Sequence, residues 1–364
     1  MRPFSRTLLV VMGLSLAAAC GQRSDGPSAP AEKPSAATSL PKSVPDAKSE
    51  ETKTNKPPET AEADDPAAVK ALESLASELK RGGDGYVTEV DLRGSNVTDA
   101  DLVHLAGLRH LRSILLNDTA VTDAGMAAIG KVSTLGNLDL RGCKISNDGL
   151  APLAGLVHLK GLRLSGANGN TTVDDQGLVH LAGLTKLKAL ALDNLWVGEE
   201  GLARLGRLKK LRISQTQVTD AGLAHLADLP KLAELDVSEC AQLTDEGLAH
   251  LGGMKQLTRL NLWRVPITDA GVAHLAGLTN LEWLNLDNTQ LTDAGLKSLS
   301  GMTKLKFLHL GSTAVSDAGL SHLEPLKGLK DLKVTRTAVT AEGVEQLQKK
   351  LPNTTVQLKY IAGQ

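Results

Sequence analysis

Aromatic rings are almost missing: 364 residues contain three Trp, two Tyr and two Phe, 2% of the chain. A core with so few rings has to be filled by aliphatic side chains. Cysteine is nearly as scarce, and three residues exclude the disulfide-dense scaffolds of small secreted domains. Neither sign of charge is in excess. A net charge of −1 provides no large field to steer the chain toward nucleic acid or an acidic membrane, so no nucleic-acid partner is expected. Apolar residues make up 41%, ordinary for a globular protein, and the length is that of two or three ordinary domains.

The one long apolar run is at the start. Arg2 and Arg6 precede Leu8 to Ala19, interrupted by Gly13 and Ser15. A spanning helix needs roughly 20 apolar residues, so this run is too short; its charged start, apolar middle and small-residue end suit a secretory signal over residues 1–19. Cleavage after Ala19 as an ordinary signal would leave Cys20 as an exposed thiol, a liability in an oxidising compartment. The stretch Leu16-Ala17-Ala18-Ala19-Cys20-Gly21 resembles a bacterial lipobox, with Ala17 where that family more often has Leu. The resemblance implies that Cys20 is lipidated and becomes the mature N-terminus, the only membrane attachment of the chain.

Residues 20–64 then read as a tether. Eight of the fourteen prolines lie between 21 and 66, and Leu40 and Val44 are nearly the only large apolar side chains up to residue 64. Such a segment cannot bury enough apolar surface to offset its ordering entropy. A flexible chain of this length spans about 35–40 Å. Asp65-Pro66 has the form of a helix start, and Val69, Leu72, Ala76 and Leu79 share a helical face before Gly82-Gly83. Residues 65–85 are therefore expected to be a capping helix.

From residue 86 to the end the chain repeats itself. Thr122-Asp123-Ala124-Gly125 returns as Thr268-Asp269-Ala270-Gly271, Thr292-Asp293-Ala294-Gly295 and Ser316-Asp317-Ala318-Gly319, with weaker copies between. The usual spacing is 24 residues; it stretches to 28 between Gly149 and Gly177 and shrinks to 21 between Gly201 and Gly222. Each copy carries leucines in the order L-x-x-L-x-L-x-x-T, as in Leu281, Leu284, Leu286 and Thr289. This resembles the leucine-rich repeat family, in the cysteine-containing subtype, with Thr119, Thr216, Thr289, Thr313 and Thr337 at the ladder position and Cys143 and Cys240 in the same slot. The resemblance implies an α/β solenoid, a horseshoe with a concave parallel β-sheet and convex helices over 86–364. Physical reasoning agrees: one repeat cannot cover its own apolar face, so repeats stack. Thr at the cap and Asp behind it start each helix, and Pro352 and Val356-Gln357-Leu358 close the array. Cys143 and Cys240 are four repeats apart, about 19 Å, too far for a disulfide.

Catalytic signatures are missing: there is no G-x-S-x-G elbow, phosphate-binding loop or H-E-x-x-H. No enzyme activity and no cofactor are expected. His104, His180, His225, His250, His274 and His322 share one repeat position beside a buried leucine on the convex side, without the acidic or thiol neighbours of a metal site. One recurring Asp per turn is too few oxygens for calcium.

The rings carry more information. Residues flanking the buried leucines of each strand face the concave surface. Trp283 and Phe307 hold one such slot in adjacent repeats, Asn285 and His309 the next, and Asp287 lies beyond. Trp263 faces the same way one repeat earlier, about 13 Å further along its strand. Rings beside polar groups mark a binding hot spot, so these six residues form the candidate partner site. Residues 165–216, with the insert Gly166 to Asn170, Trp196 and the cluster Lys209, Lys210 and Arg212, form a second irregularity, expected to be tolerated drift. The expected function is a monomeric, non-enzymatic protein-binding module on a bacterial cell envelope, periplasmic or surface-exposed; the alternative is an envelope spacer without a dedicated ligand. Lipobox, tether and repeats together are similar to the leucine-rich repeat lipoproteins of planctomycete-type bacteria.

Overall fold

A computed structural model describes residues 63–359. The expected signal, Cys20 and the tether up to residue 62 lie outside the described residues. Asp64, assigned to the tether, belongs to the fold: its carboxylate is buried and accepts from Val87 N at 2.7 Å and Arg109 N at 3.1 Å.

The cap differs from the expected continuous helix. Helix α1 covers Pro66–Glu73 only, with the Asp65 side chain accepting from Ala67 N and Pro66 in the first turn. It buries Ala68 and Leu72. Leu79 instead lies in strand β1 (Glu78–Arg81), which turns through Gly82–Gly85 and pairs antiparallel with β2 (Val87–Asp91). The physical reason is the sheet edge. Beginning the solenoid at β2 would leave its backbone donors and acceptors open, and a hairpin strand covers them. Lys80 and Glu89 pair across the hairpin at 2.5 Å.

The other strands run parallel in chain order: β3 (Ser113–Leu115), β4 (Asn137–Asp139), β5 (Gly161–Ser165), β6 (Ala189–Asp193), β7 (Lys210–Arg212), β8 (Glu234–Asp236), β9 (Arg259–Asn261), β10 (Trp283–Asn285), β11 (Phe307–His309), β12 (Asp331–Lys333) and β13 (Thr355–Gln357). The central leucines align across the sheet, Leu260 with Leu284 and Leu284 with Leu308. Short α- and 3-10 helices return the chain on the other side. The buried core is aliphatic, as the shortage of rings requires, and contains no Trp, Tyr or Phe among the described residues.

The repeat signature has a structural cause beyond helix capping. The Asp that opens each helix reaches the next repeat. Asp245 accepts from Thr268 N at 2.8 Å and from Thr268 Oγ1 at 2.6 Å, and Asp99–Thr122, Asp220–Thr244, Asp293–Ser316 and Asp317–Thr340 repeat the pair. The glycine of the signature makes room for that carboxylate. A methyl on Gly125 would come within 2.5 Å of Asp99 Oδ1, and one on Gly271 would overlap the Asp245 carboxylate. Thr-Asp-Ala-Gly thus reads as cap, clamp, spacer and vacancy.

Two further ladders run through the stack. Ladder threonines donate to the carbonyl three residues back, Thr289 Oγ1 to Leu286 O at 2.8 Å. The thiols of Cys143 and Cys240 donate one repeat back, to Leu116 O at 3.2 Å and Ile213 O at 3.0 Å; both are buried and free. Three residues past most of the parallel strands the chain adopts a left-handed conformation as it leaves the sheet, as at Gln215 (φ 55°), Arg264 (φ 55°) and Asn288 (φ 57°).

Candidate concave binding face

The concave side chains form columns across the sheet. One reads Glu89, Ser113, Asn137, Gly161, Ala189, Lys210, Glu234, Arg259, Trp283, Phe307 and Asp331, because each residue pairs in register with the next. Trp283 and Phe307 are therefore brought together. Their rings stack with centroids 5.0 Å apart and planes 5° apart. The Arg259 guanidinium lies 3.4 Å from the Trp283 centroid, and Lys333 Nζ is 5.9 Å from that of Phe307. Cation, ring, ring and cation form one ladder across four strands, worth roughly 0.5–1.5 kcal/mol beyond buried area for the ring pair. Since Arg259 and Phe307 cover the Trp283 ring on either side, the pair offers edges rather than a free face on which a sugar would stack.

The polar candidates sit beside this ladder. His309 meets Phe307 edge-on at 6.4 Å. Burial holds its imidazole below the ordinary histidine pKa; the Asp287 carboxylate opposes this and Lys333 adds to it. Its ring is therefore a neutral donor and acceptor at neutral pH. Asn285 Oδ1 accepts from Asp287 N at 2.9 Å and fixes the chain leaving β10. Asp287 Oδ1, His309 Nε2 and Thr335 Oγ1 converge over Gly311, where a methyl would come within 2.8–2.9 Å of all three. Trp263 stands apart. It lies two residues beyond β9, beneath Arg264 at 5.5 Å, and has no ring contact with Trp283 among the described residues. The structure resolves the expected three-ring patch into a pair and an outlier.

A further concavity was not legible in the rings. A cavity of about 690 Å³ opens over β2 to β9, with Gly161, Ala189 and Ala191 in its lining. Its signal in the sequence is the smallness of those three residues at outward slots. Around it, Arg141 holds Asp139 at 2.7 Å, Lys210 holds Glu234 at 2.7 Å, and Arg212 lies 2.8 Å from Asp193. Burial raises the Asp193 carboxyl above the ordinary range despite Arg212, and Asp236 adds to the rise. Beyond the end of β6, Trp196 is 75% exposed.

The six repeated histidines lie on the helical side, His225 and His250 in the helices Asp220–Ala227 and Asp245–Leu251. Among the described residues no group of three His, Cys, Asp or Glu side chains could hold a metal, and no helix is long and apolar enough to cross a membrane. The repeated aspartates are engaged in the clamp.

A family model described as a leucine-rich repeat region matches residues 88–320. The chain belongs to the leucine-rich repeat family. No curated protein matches the sequence. Among solved structures, this leucine-rich repeat chain is similar to an internalin, InlF, of Listeria monocytogenes, at 20% identity over 82% of this chain and 95% of that one, with a TM-score of 0.56. It is also similar to the ectodomain of the Arabidopsis receptor kinase HAESA, solved with a peptide hormone ligand, at 17% identity over 81% of this chain and 52% of that one, with a TM-score of 0.57. These likenesses concern the fold.

Proposed function

We propose that the chain is a non-enzymatic module that binds a protein partner on its concave face. The observation that carries this reading is the Arg259–Trp283–Phe307–Lys333 ladder. No aromatic ring is in the core among the described residues, and two of the seven rings of the chain stack on the solvent side of the sheet, where packing does not require them. Neutral His309, Asp287 and Thr335 beside them supply directional polar contacts. The HAESA ectodomain, a solenoid of the same fold, is solved with a peptide ligand, which supports a peptide or protein as the partner's class. Lipidation at Cys20 and a tether ending before Asp64 would hold the module on a bacterial envelope, periplasmic or surface-exposed. The membrane would be met through the lipid alone.

The spacer reading has one observation in its favour: many concave charges are neutralised internally, as in Arg93–Asp91 at 2.6 Å and Arg141–Asp139 at 2.7 Å. Affinity capture from envelope extract separates the two. The wild-type chain is compared with a Trp283→Ala/Phe307→Ala variant of equal melting temperature, and with Trp263→Ala alone. A protein retained by the wild type and lost with the ring pair supports the module. Equal retention moves the site elsewhere, and no retention by either favours the spacer.

A further inference from the structure

Three unpaired lysines border the cavity over Gly161, Ala189 and Ala191, outside its lining, in which five cations and five carboxylates balance. Lys160, Lys188 and Lys209 occupy one position in three successive repeats: Lys188 N donates to Lys160 O at 2.8 Å, and Lys209 N to Lys188 O at 2.8 Å. Neighbouring strands lie about 4.8 Å apart, so the three lysines span about 10 Å along the edge where β5, β6 and β7 begin. All three are exposed, and none has a carboxylate within 4.0 Å among the described residues. Arg163, in the cavity lining, is 60% exposed; the carboxylate it meets, Asp139 at 3.5 Å, is already held by Arg141 at 2.7 Å. Three cations thus remain unpaired at one edge of the cavity among the described residues, and a fourth, Arg163, shares one carboxylate with Arg141.

We propose that this cavity is a second docking site on the concave face, shaped for an acidic peptide segment of the partner. The proposal rests on the binding-module reading and adds the partner's chemistry. Two features favour a peptide over a continuous polyanion. Asp139, Asp193 and Asp236 line the same cavity, and a chain of phosphates laid across it would meet them at every step. A peptide can space its carboxylates on an uncharged backbone. A polyproline-II segment advances about 3.1 Å per residue with three residues per turn, so carboxylates three residues apart share one face and match lysines two strands apart. Asn137, exposed and leaning over Gly161, offers both a donor and an acceptor to that backbone. Arg259 lines the cavity and also stacks on Trp283, so one extended partner could engage both sites.

The test is fluorescence anisotropy on the full chain with labelled (Glu-Gly-Gly)4, with (Gln-Gly-Gly)4 and (Lys-Gly-Gly)4 as comparison probes and inorganic polyphosphate as competitor. The acidic probe is expected to bind at least tenfold more tightly than the other two peptides. Arg163→Glu/Lys188→Glu should weaken it at least tenfold, as should Ala189→Leu/Ala191→Leu, which fills the cavity without changing charge. Lys131→Glu, on the helical side, should change it less than twofold. Unchanged melting temperatures establish that the variants fold. No preference for the acidic probe overturns the proposal. So does insensitivity to the leucine variant, or polyphosphate binding more tightly than the peptide. Because the probe carries only glutamate and glycine, with no side chain that packs on Trp283 and Phe307, loss of partner capture in the ring variant with no acidic-peptide binding would refute this site alone. Acidic-peptide binding with no effect of the rings on capture would refute the ring site alone.

Discussion

The clamp between repeats can be tested by a double-mutant cycle on Asp245 and Gly271. Asp245→Ala removes the acceptor of two hydrogen bonds from Thr268, at 2.8 and 2.6 Å. Bonds to a charged group contribute about 1.5–3 kcal/mol each when buried. At this half-buried position the pair is taken as about 2–4 kcal/mol, below the roughly 3–6 kcal/mol of two fully buried bonds. Gly271→Ala alone should gain up to about 1 kcal/mol from helix propensity. Its methyl overlaps the Asp245 carboxylate, however, and displaces it from both bonds, so the net change is a loss of about 1–3 kcal/mol. In the Asp245→Ala background the carboxylate is gone, and the backbone Cα of residue 245 at 3.2 Å is a tight contact that offsets part of the propensity gain. The substitution should then be neutral or slightly stabilising, giving a coupling of about 2 kcal/mol or more. Urea unfolding of the four proteins measures the cycle, and amide exchange at Thr268 reports the clamp locally, which matters in a repeat array that need not unfold in one step. Additive costs, with Gly271→Ala equally damaging in both backgrounds, would refute the account of the signature.

Four further outcomes are expected. Because the His309 pKa is depressed in the fold, the unfolded chain binds the extra proton first; stability should fall as pH drops from 7 through the ordinary histidine value and level off below the folded one. Urea midpoints across that range should show a shallower decline in His309→Gln. Asp193 behaves oppositely: burial raises its carboxyl, so the fold gains stability as pH falls through the folded value, and Asp193→Asn should raise stability at neutral pH with the gain disappearing in acid. Cys143 and Cys240, whose thiols burial pushes up, should resist a thiol reagent in the folded chain and react fully in denaturant. Gln215→Gly should leave melting unchanged or raise it slightly, since φ 55° strains a side-chain-bearing residue, whereas Gln215→Val should lower it clearly.

Leucine spacing and the Thr-Asp-Ala-Gly return made the solenoid legible because both are periodic and every repeat obeys them. The Trp283–Phe307 stack followed from the same register, since equal slots in adjacent parallel strands become neighbours. What escaped depended on contacts that no single repeat contains. The clamp joins an Asp to a Thr 23 residues away, so its carboxylate read only as helix capping. The cap helix was overextended because Val69 to Leu79 has a helical face, while the open edge of β2 recruits Leu79 into a strand. The cavity is made by small residues, and an inventory of chemistry-bearing side chains passes over Gly161 and Ala189.

The irregular repeats show how such a scaffold changes its surface without changing its sheet. The insert Gly166 to Asn170 leaves β5 and β6 paired over five residues, from Gly161–Ala189 to Ser165–Asp193. Its cost is met locally: Asn168 Nδ2 donates to Gly142 O at 2.9 Å, and Thr171 Oγ1 to Cys143 O at 2.9 Å. The shortened repeat loses residues from its helical side, where the helix Glu199–Leu202 leads to β7 without the 3-10 helix that follows Asp175–Leu178, and β6 still pairs with β7 from Ala189–Lys210 to Ala191–Arg212. The clamp survives there with Glu199 in place of Asp, its longer side chain accepting from Thr219 Oγ1. Length variation is therefore absorbed by the loops and the helical side, while the concave columns keep their register. In these repeats the columns combine the smallest side chains with the unmatched lysines, and the stacked rings lie on β10 and β11. Each part of the face can be altered separately while the leucine ladder beneath it stays the same.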